Sequence, residues 1–188
     1  MKAALQSGQS TMATTTGLMT VEQFRQLPET GPFYYELRHG EAVPVSRPKL
    51  KHILIQEQLH GLLKSAVPEM FVGVEFPFRA LSEYELRVAD VAIVSANRIR
   101  QTDREDNLRG APDLVIEVLS PSNTVAEIND KEKLCLENGC KEFWIVDPDL
   151  RQVKVSRPDG ITTAFHSGHE LSLGSFGAGS LRVDDIFA

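Results

Sequence analysis

The stretch Pro112-Asp113-Leu114-Val115-Ile116-Glu117-Val118-Leu119-Ser120 sets a carboxylate inside an otherwise continuous apolar run, and the reading of the chain starts from that conflict. A run of β-branched and aliphatic residues, opened by Ala111-Pro112 and closed by Ser120-Pro121, has the pattern of a strand covered on both faces. A charge in such a strand is costly unless it is paired or bound to a cation. Glu117 is therefore either a strand-end residue turned to solvent beside the Ser-Pro turn or half of a site. Asp113 is not its partner: four residues apart on one strand, at about 3.3 Å each, the two stand ~13 Å from one another.

Acids on neighbouring strands come much closer, about 5 Å across a ladder. The preceding expected strand, residues 86–95 (LRVADVAIVS), embeds Asp90 among Val88, Val91, Ile93 and Val94. Asp90 with Glu117 is accordingly the expected pair for a hard divalent cation, Mg²⁺ or Mn²⁺. The helix after the central strand adds a cation of its own. It is expected to be capped by Ser122 or Asn123, to run to about residue 138, and to stop at Gly139. With Val125, Ile128, Cys135 and Leu136 as its buried stripe, Lys131 falls on the flank of that stripe, whereas Lys133 points away.

Working outward, Thr20-Val21-Glu22-Gln23 is a capping box for a short helix reaching about residue 27, stopped by Pro28. Segments 33–37 and 41–45 flank Arg38-His39-Gly40, a hairpin pattern with Gly supplying the positive φ; Glu36 lies in the first strand. Leu50, Ile53, Leu54, Leu62, Leu63 and Ala66 recur at helical spacing over 49–66, with His52 in the first turn and Pro68 as the stop. Residues 71–80 alternate as a strand. Residues 97–109 are a loop or short surface helix carrying Arg98, Arg100, Arg104 and Arg109, the densest basic patch in the chain. Strands follow at 142–146, 152–156 and 161–165, separated by Asp147-Pro148-Asp149 and Pro158-Asp159-Gly160 turns, and 181–187 docks by its apolar residues.

With 188 residues, 41% of them hydrophobic, the expectation is a disordered leader over 1–18 and a single domain over 19–188. No apolar window approaches a membrane span and the polar N-terminus lacks a secretory core, so a cytoplasmic protein without membrane attachment is expected. Two cysteines, Cys135 and Cys140, are read as reduced thiols rather than a disulfide or zinc site. A net charge of −6 gives no global attraction to nucleic acid, so DNA binding requires a local basic surface or a cation-filled site.

In order, YYELRHGE, the His52 helix, RVADVAIV, APDLVIEVLSPSNT, the Lys131 helix, GCKEFWIVDP and LRVDDIF resemble the restriction endonuclease domain family often called the Uma family, within the PD-(D/E)XK nuclease superfamily. The resemblance spans roughly residues 20–187. It implies a restriction-endonuclease-like α/β (α+β) fold, a mixed β-sheet flanked by helices with an N-terminal hairpin. It further implies that Asp90 and Glu117 are the metal-binding acids, that Lys131 is a motif lysine displaced onto the following helix, and that Glu36 and His52 line the same region. Leu119 stands where the motif lysine is ordinarily found, two residues after Glu117. The implied function is a Mg²⁺- or Mn²⁺-dependent endonuclease that cuts DNA as a homodimer, Lys131 orienting or helping to deprotonate the attacking water. The alternative is a catalytically silent nuclease-fold module for binding or regulation.

Overall fold

A computed structural model describes residues 17–28, 34–81 and 83–188. In chain order they form α1 (Val21–Phe24), β1 (Tyr34–Arg38), β2 (Glu41–Val45), α2 (Leu50–Ala66), β3 (Met70–Arg79), β4 (Arg87–Ser95), α3 (Ala96–Gln101), β5 (Leu108–Arg109), β6 (Leu114–Val118), α4 (Val125–Glu137), β7 (Glu142–Asp147), β8 (Gln152–Ser156), β9 (Thr162–Phe165), β10 (Glu170–Ser172), β11 (Ser180–Arg182) and α5 (Val183–Ile186). Seven strands make one sheet in the order β5-β3-β4-β6-β7-β8-β9. It is mixed. The pairs β6/β7 and β3/β5 are parallel and the other neighbours antiparallel, and the β6–β7 parallel step needs a crossover, which α4 supplies.

The apolar run around Glu117 becomes β6 at the centre of the sheet, buried at every position. Ile116 packs with Val91, Ile93 and Trp144 against Ile55, Leu59 and Leu63 of α2. Val115 packs with Ala92, Val94 and Phe143 against Leu134 and Cys135 of α4. Helices thus cover both faces, which is why β6 reads as continuously apolar.

The β1/β2 hairpin stands outside the large sheet. Its two-residue turn has left-handed φ at both His39 (49°) and Gly40 (77°), not at the glycine alone; this is the twist a two-residue hairpin prefers. Reciprocal Leu37–Leu86 backbone bonds of 3.0 Å fasten the hairpin to the start of β4 and bring Glu36 beside Val88.

Several local expectations are corrected. The helix α1 keeps its Thr20/Gln23 capping box but ends at Phe24, short of residue 27. On α2 the buried residues are Ile55, Gln56, Leu59 and Leu63, while Leu50, Ile53 and Leu54 are exposed. That inward face is partly polar, so a count of apolar residues selects the face next to it. On α4 the buried set is Ile128, Lys131, Leu134 and Cys135, and Val125 is exposed. Thr124 caps α4 with Glu127, because Asn123 is spent accepting the Ser120 N–H at 2.8 Å. The segment 97–109 resolves into the end of α3, capped by Ser95, and the edge strand β5. The β10/β11 hairpin was not foreseen, although Leu181, Val183 and Ile186 dock as expected. Residues 1–16 of the expected leader and residue 33 of the expected hairpin lie outside the described residues. Among those described, no helix is long and apolar enough to cross a membrane.

Candidate active site

Strand register builds the first half of the site. The pairs Val74↔Val91 and Phe76↔Ala89 set Glu75 opposite Asp90. The pair Val91↔Ile116, carried one step further, sets Asp90 beside Glu117. Three carboxylates therefore stand in a row across β3, β4 and β6. Asp90 Oδ2 accepts the Val118 N–H at 2.7 Å, while Oδ1 lies 3.1 Å from His52 Nε2 and accepts Gln56 Nε2 at 3.2 Å. The same amide nitrogen donates to Glu75 Oε1 at 2.5 Å. His52, Glu75 and Asp90 each bring a possible ligand atom to within 4.8 Å of the others.

The other half comes from α4 and the hairpin. Lys131, buried on the inward face of α4, donates from Nζ to the Val88 carbonyl at 2.5 Å and lies 2.7 Å from Glu117 Oε1 and 3.7 Å from Glu36 Oε1. Its approach to Glu117 has ion-pair distance without hydrogen-bond alignment. Glu117 Oε1 is thus buried with no hydrogen bond, as is His52 Nδ1. Glu36 has both oxygens engaged: Oε1 accepts the Val88 N–H at 2.9 Å and Oε2 accepts Arg38 Nε at 2.9 Å. Arg38 is held in turn by Glu127 at 2.7 Å. Lys133 is exposed and lies 4.0 Å from Glu137.

Burial is the largest influence on Glu117 and pushes its carboxyl up to about 8, with Asp90 and Glu36 adding to the rise and Lys131 opposing it. Burial disfavours the Lys131 ammonium, but Glu117, Glu36 and Asp90 together hold it above the ordinary lysine range. Glu36 ends below its ordinary value because Lys131, the Val88 N–H and Arg38 outweigh its burial. For His52, burial is outweighed by the Asp90 hydrogen bond and by the charges of Asp90, Glu75 and Glu117, so the imidazole is raised. Negative charge thus exceeds positive charge around Glu117. A hard divalent cation fits this donor set: carboxylate oxygens with an imidazole beside them, and one buried carboxylate oxygen lacking a hydrogen bond.

Of the residues singled out in the sequence, the structure brings Asp90, Glu117, Lys131, Glu36 and His52 together and leaves Asp113 apart. Asp113 accepts the Ser95 N–H at 2.9 Å and pairs with Arg98 and Lys141, each at 3.4 Å. In the basic segment, Arg98 is tied to Asp113 and Arg109 to Asp106. Glu75 and Gln56 were missed. For Glu75 the signal was available, since Phe-Val-Gly-Val-Glu-Phe-Pro-Phe is another acid inside an apolar run, as around Glu117.

Residues 21–183 match the family Uma2, described as "Putative restriction endonuclease", and the chain belongs to that family. Its structure is similar to a solved protein titled "putative nuclease belonging to DUF820" from Anabaena variabilis ATCC 29413, with a TM-score of 0.76 and 25% identity over 90% of this chain and 97% of that one. None of the curated proteins matches. Family and structural neighbour agree on a nuclease.

Proposed function

We propose that the chain is a divalent-metal-dependent endonuclease that hydrolyses DNA phosphodiester bonds, with Asp90 and Glu117 holding Mg²⁺ or Mn²⁺. The observation that carries this reading is the Lys131 ammonium 2.7 Å from Glu117, on the strand next to Asp90. A hard divalent cation there supplies positive charge for a phosphate and acidifies water. Asp90 is oriented by the Val118 N–H and by His52. Glu36, with both oxygens already engaged, is a positioning residue that keeps the Lys131 ammonium in place. Because its acidic neighbours keep Lys131 charged, it orients Glu117 and adds positive charge rather than removing a proton from water. The net charge of −6 repels DNA, and the cation offsets that repulsion locally. Cutting both strands of a duplex calls for two sites, and a two-fold homodimer is the simplest closed arrangement. The free, buried thiols of Cys135 and Cys140 suit a reducing compartment such as the cytoplasm.

Supercoiled plasmid incubated with the protein and Mg²⁺ or Mn²⁺ tests this. The wild type should nick or linearise it, and Glu117→Gln should lose about 10³-fold, equivalent to about 4 kcal/mol of transition-state stabilisation. Nicking that persists in Glu117→Gln would sink the assignment. Concerted linearisation by a particle that sediments as two chains is the result expected for the dimer.

A further inference from the structure

We infer that His52, Glu75 and Asp90 form a divalent-cation position distinct from the one at Asp90 and Glu117, with Asp90 shared between the two. The inference rests on the nuclease reading for its purpose but on separate residues for its geometry. The possible ligand atoms of His52, Glu75 and Asp90 already lie within 4.8 Å of one another, a spacing that one ion can bridge. Between the two carboxylates stands only a neutral group: the buried Gln56 amide, whose nitrogen reaches Glu75 Oε1 at 2.5 Å and Asp90 Oδ1 at 3.2 Å.

Two unmet polar atoms point independently to a missing partner in the same place. Glu117, 7% exposed, has Oε1 buried without a hydrogen bond, and its charge acts on the neighbouring His52. His52 Nδ1 is also buried and unbonded. Glu75 itself has φ of 46° inside β3, a left-handed conformation uncommon for a residue with a side chain in a strand. Glu75 is exposed and Glu117 buried, so the new position is the outer of the two, open to solvent. Its imidazole also gives it a different preference from an all-oxygen site, towards Mn²⁺ over Mg²⁺.

Calorimetric titration of the full chain with Mn²⁺, read beside the Mn²⁺ electron paramagnetic resonance spectrum, tests the inference without an activity measurement. The wild type should bind two ions per chain with a spin-coupled spectrum. Glu75→Gln should bind one ion with an uncoupled spectrum, while Glu117→Gln keeps the outer ion. Glu75→Gly, which removes the carboxylate and relieves the left-handed strain, should behave as Glu75→Gln does and provides a folded variant if the amide is not tolerated. Unchanged stoichiometry and affinity in both Glu75 variants would overturn the inference and leave the Asp90–Glu117 reading standing. A single ion lost in Glu75→Gln but kept in Glu117→Gln would do the reverse, supporting this position and removing Glu117 as a ligand.

Discussion

Two acids at the ends of one strand, Asp113 and Glu117, are both almost fully buried, yet they are bonded in opposite ways. Asp113 accepts a backbone N–H from Ser95 and faces two cations, Arg98 and Lys141, so its charge is matched on several sides. Glu117 has one cation, no hydrogen bond to Oε1, and two further acids near enough to raise it. Asp113 ties the start of β6 to the end of β4 and to α3. Glu117 stands where charge is left over. Burial of an acid is therefore a poor pointer to chemistry by itself, and a deficit of partners around it is a better one.

The largest test of that contrast is a cycle on the Glu117–Lys131 pair in the presence of a chelator. Lys131→Met removes the cation from a place where Glu117 and Glu36 remain buried. Breaking a buried pair costs about 3–5 kcal/mol, and the low end is expected here because Glu117 can take up a proton instead. The double variant Glu117→Gln/Lys131→Met should regain most of that loss, since replacing both members of a buried pair is often near neutral. Lys133→Met, on the exposed face of α4, should leave the melting temperature unchanged. Additive losses in the double variant, measured by denaturant unfolding, would mean that the two groups are not coupled.

At the other end of β6 the expected effect is smaller and of a different kind. Asp113→Asn keeps an acceptor for the Ser95 N–H but loses the charge that faces Arg98 and Lys141, both partly exposed. A loss of about 1.5 kcal/mol follows, which for a chain of this size is a fall of about 3–6 °C in Tm. Cleavage per folded molecule should not change. A large drop in plasmid nicking by the folded Asp113→Asn variant would put Asp113 in the site and erase the contrast.

The same physics explains what was legible in the sequence. An acid within an apolar run is visible without a structure, and the spacing of strands singled out Asp90 over Asp113 as the neighbour of Glu117. Helical geometry likewise separated Lys131 from Lys133. The inward faces of α2 and α4 were misread for a reason that belongs to the site: His52, Gln56 and Lys131 take positions that an ordinary helix gives to apolar residues, so the apolar pattern is broken where the site lies. Glu75 was passed over because strand alternation treats it as a surface residue, and its left-handed backbone leaves no mark in the sequence. Gln56 carries no charge to draw notice. The strands β5, β10 and β11 are two or three residues long, too short for periodicity to register.

Asp106 extends the comparison to an acid with more partners than it needs. Its carboxylate lies 2.8 Å from Arg25, 3.1 Å from Arg79 and 3.0 Å from Arg109, and accepts the Asn107 N–H at 2.8 Å. Burial acts to raise it, but Arg25, the Asn107 N–H, Arg79 and Arg109 together hold it well below the usual carboxylate range. The folded chain therefore binds this proton more weakly than the unfolded chain does, and the group's contribution to stability is present above its ordinary value near 3.8 and lost as pH falls through the lowered one. Asp106→Asn should lower Tm by about 2 °C at neutral pH, the smallest of these effects because Arg25 and Arg109 share their charge with solvent. The gap between variant and wild type should narrow below about pH 3.8 and also with added salt. A gap that stays constant from pH 7 to pH 3 in thermal melts would show that Asp106 acts through packing rather than through its charge, leaving Asp113 as the only satisfied acid against which Glu117 can be judged.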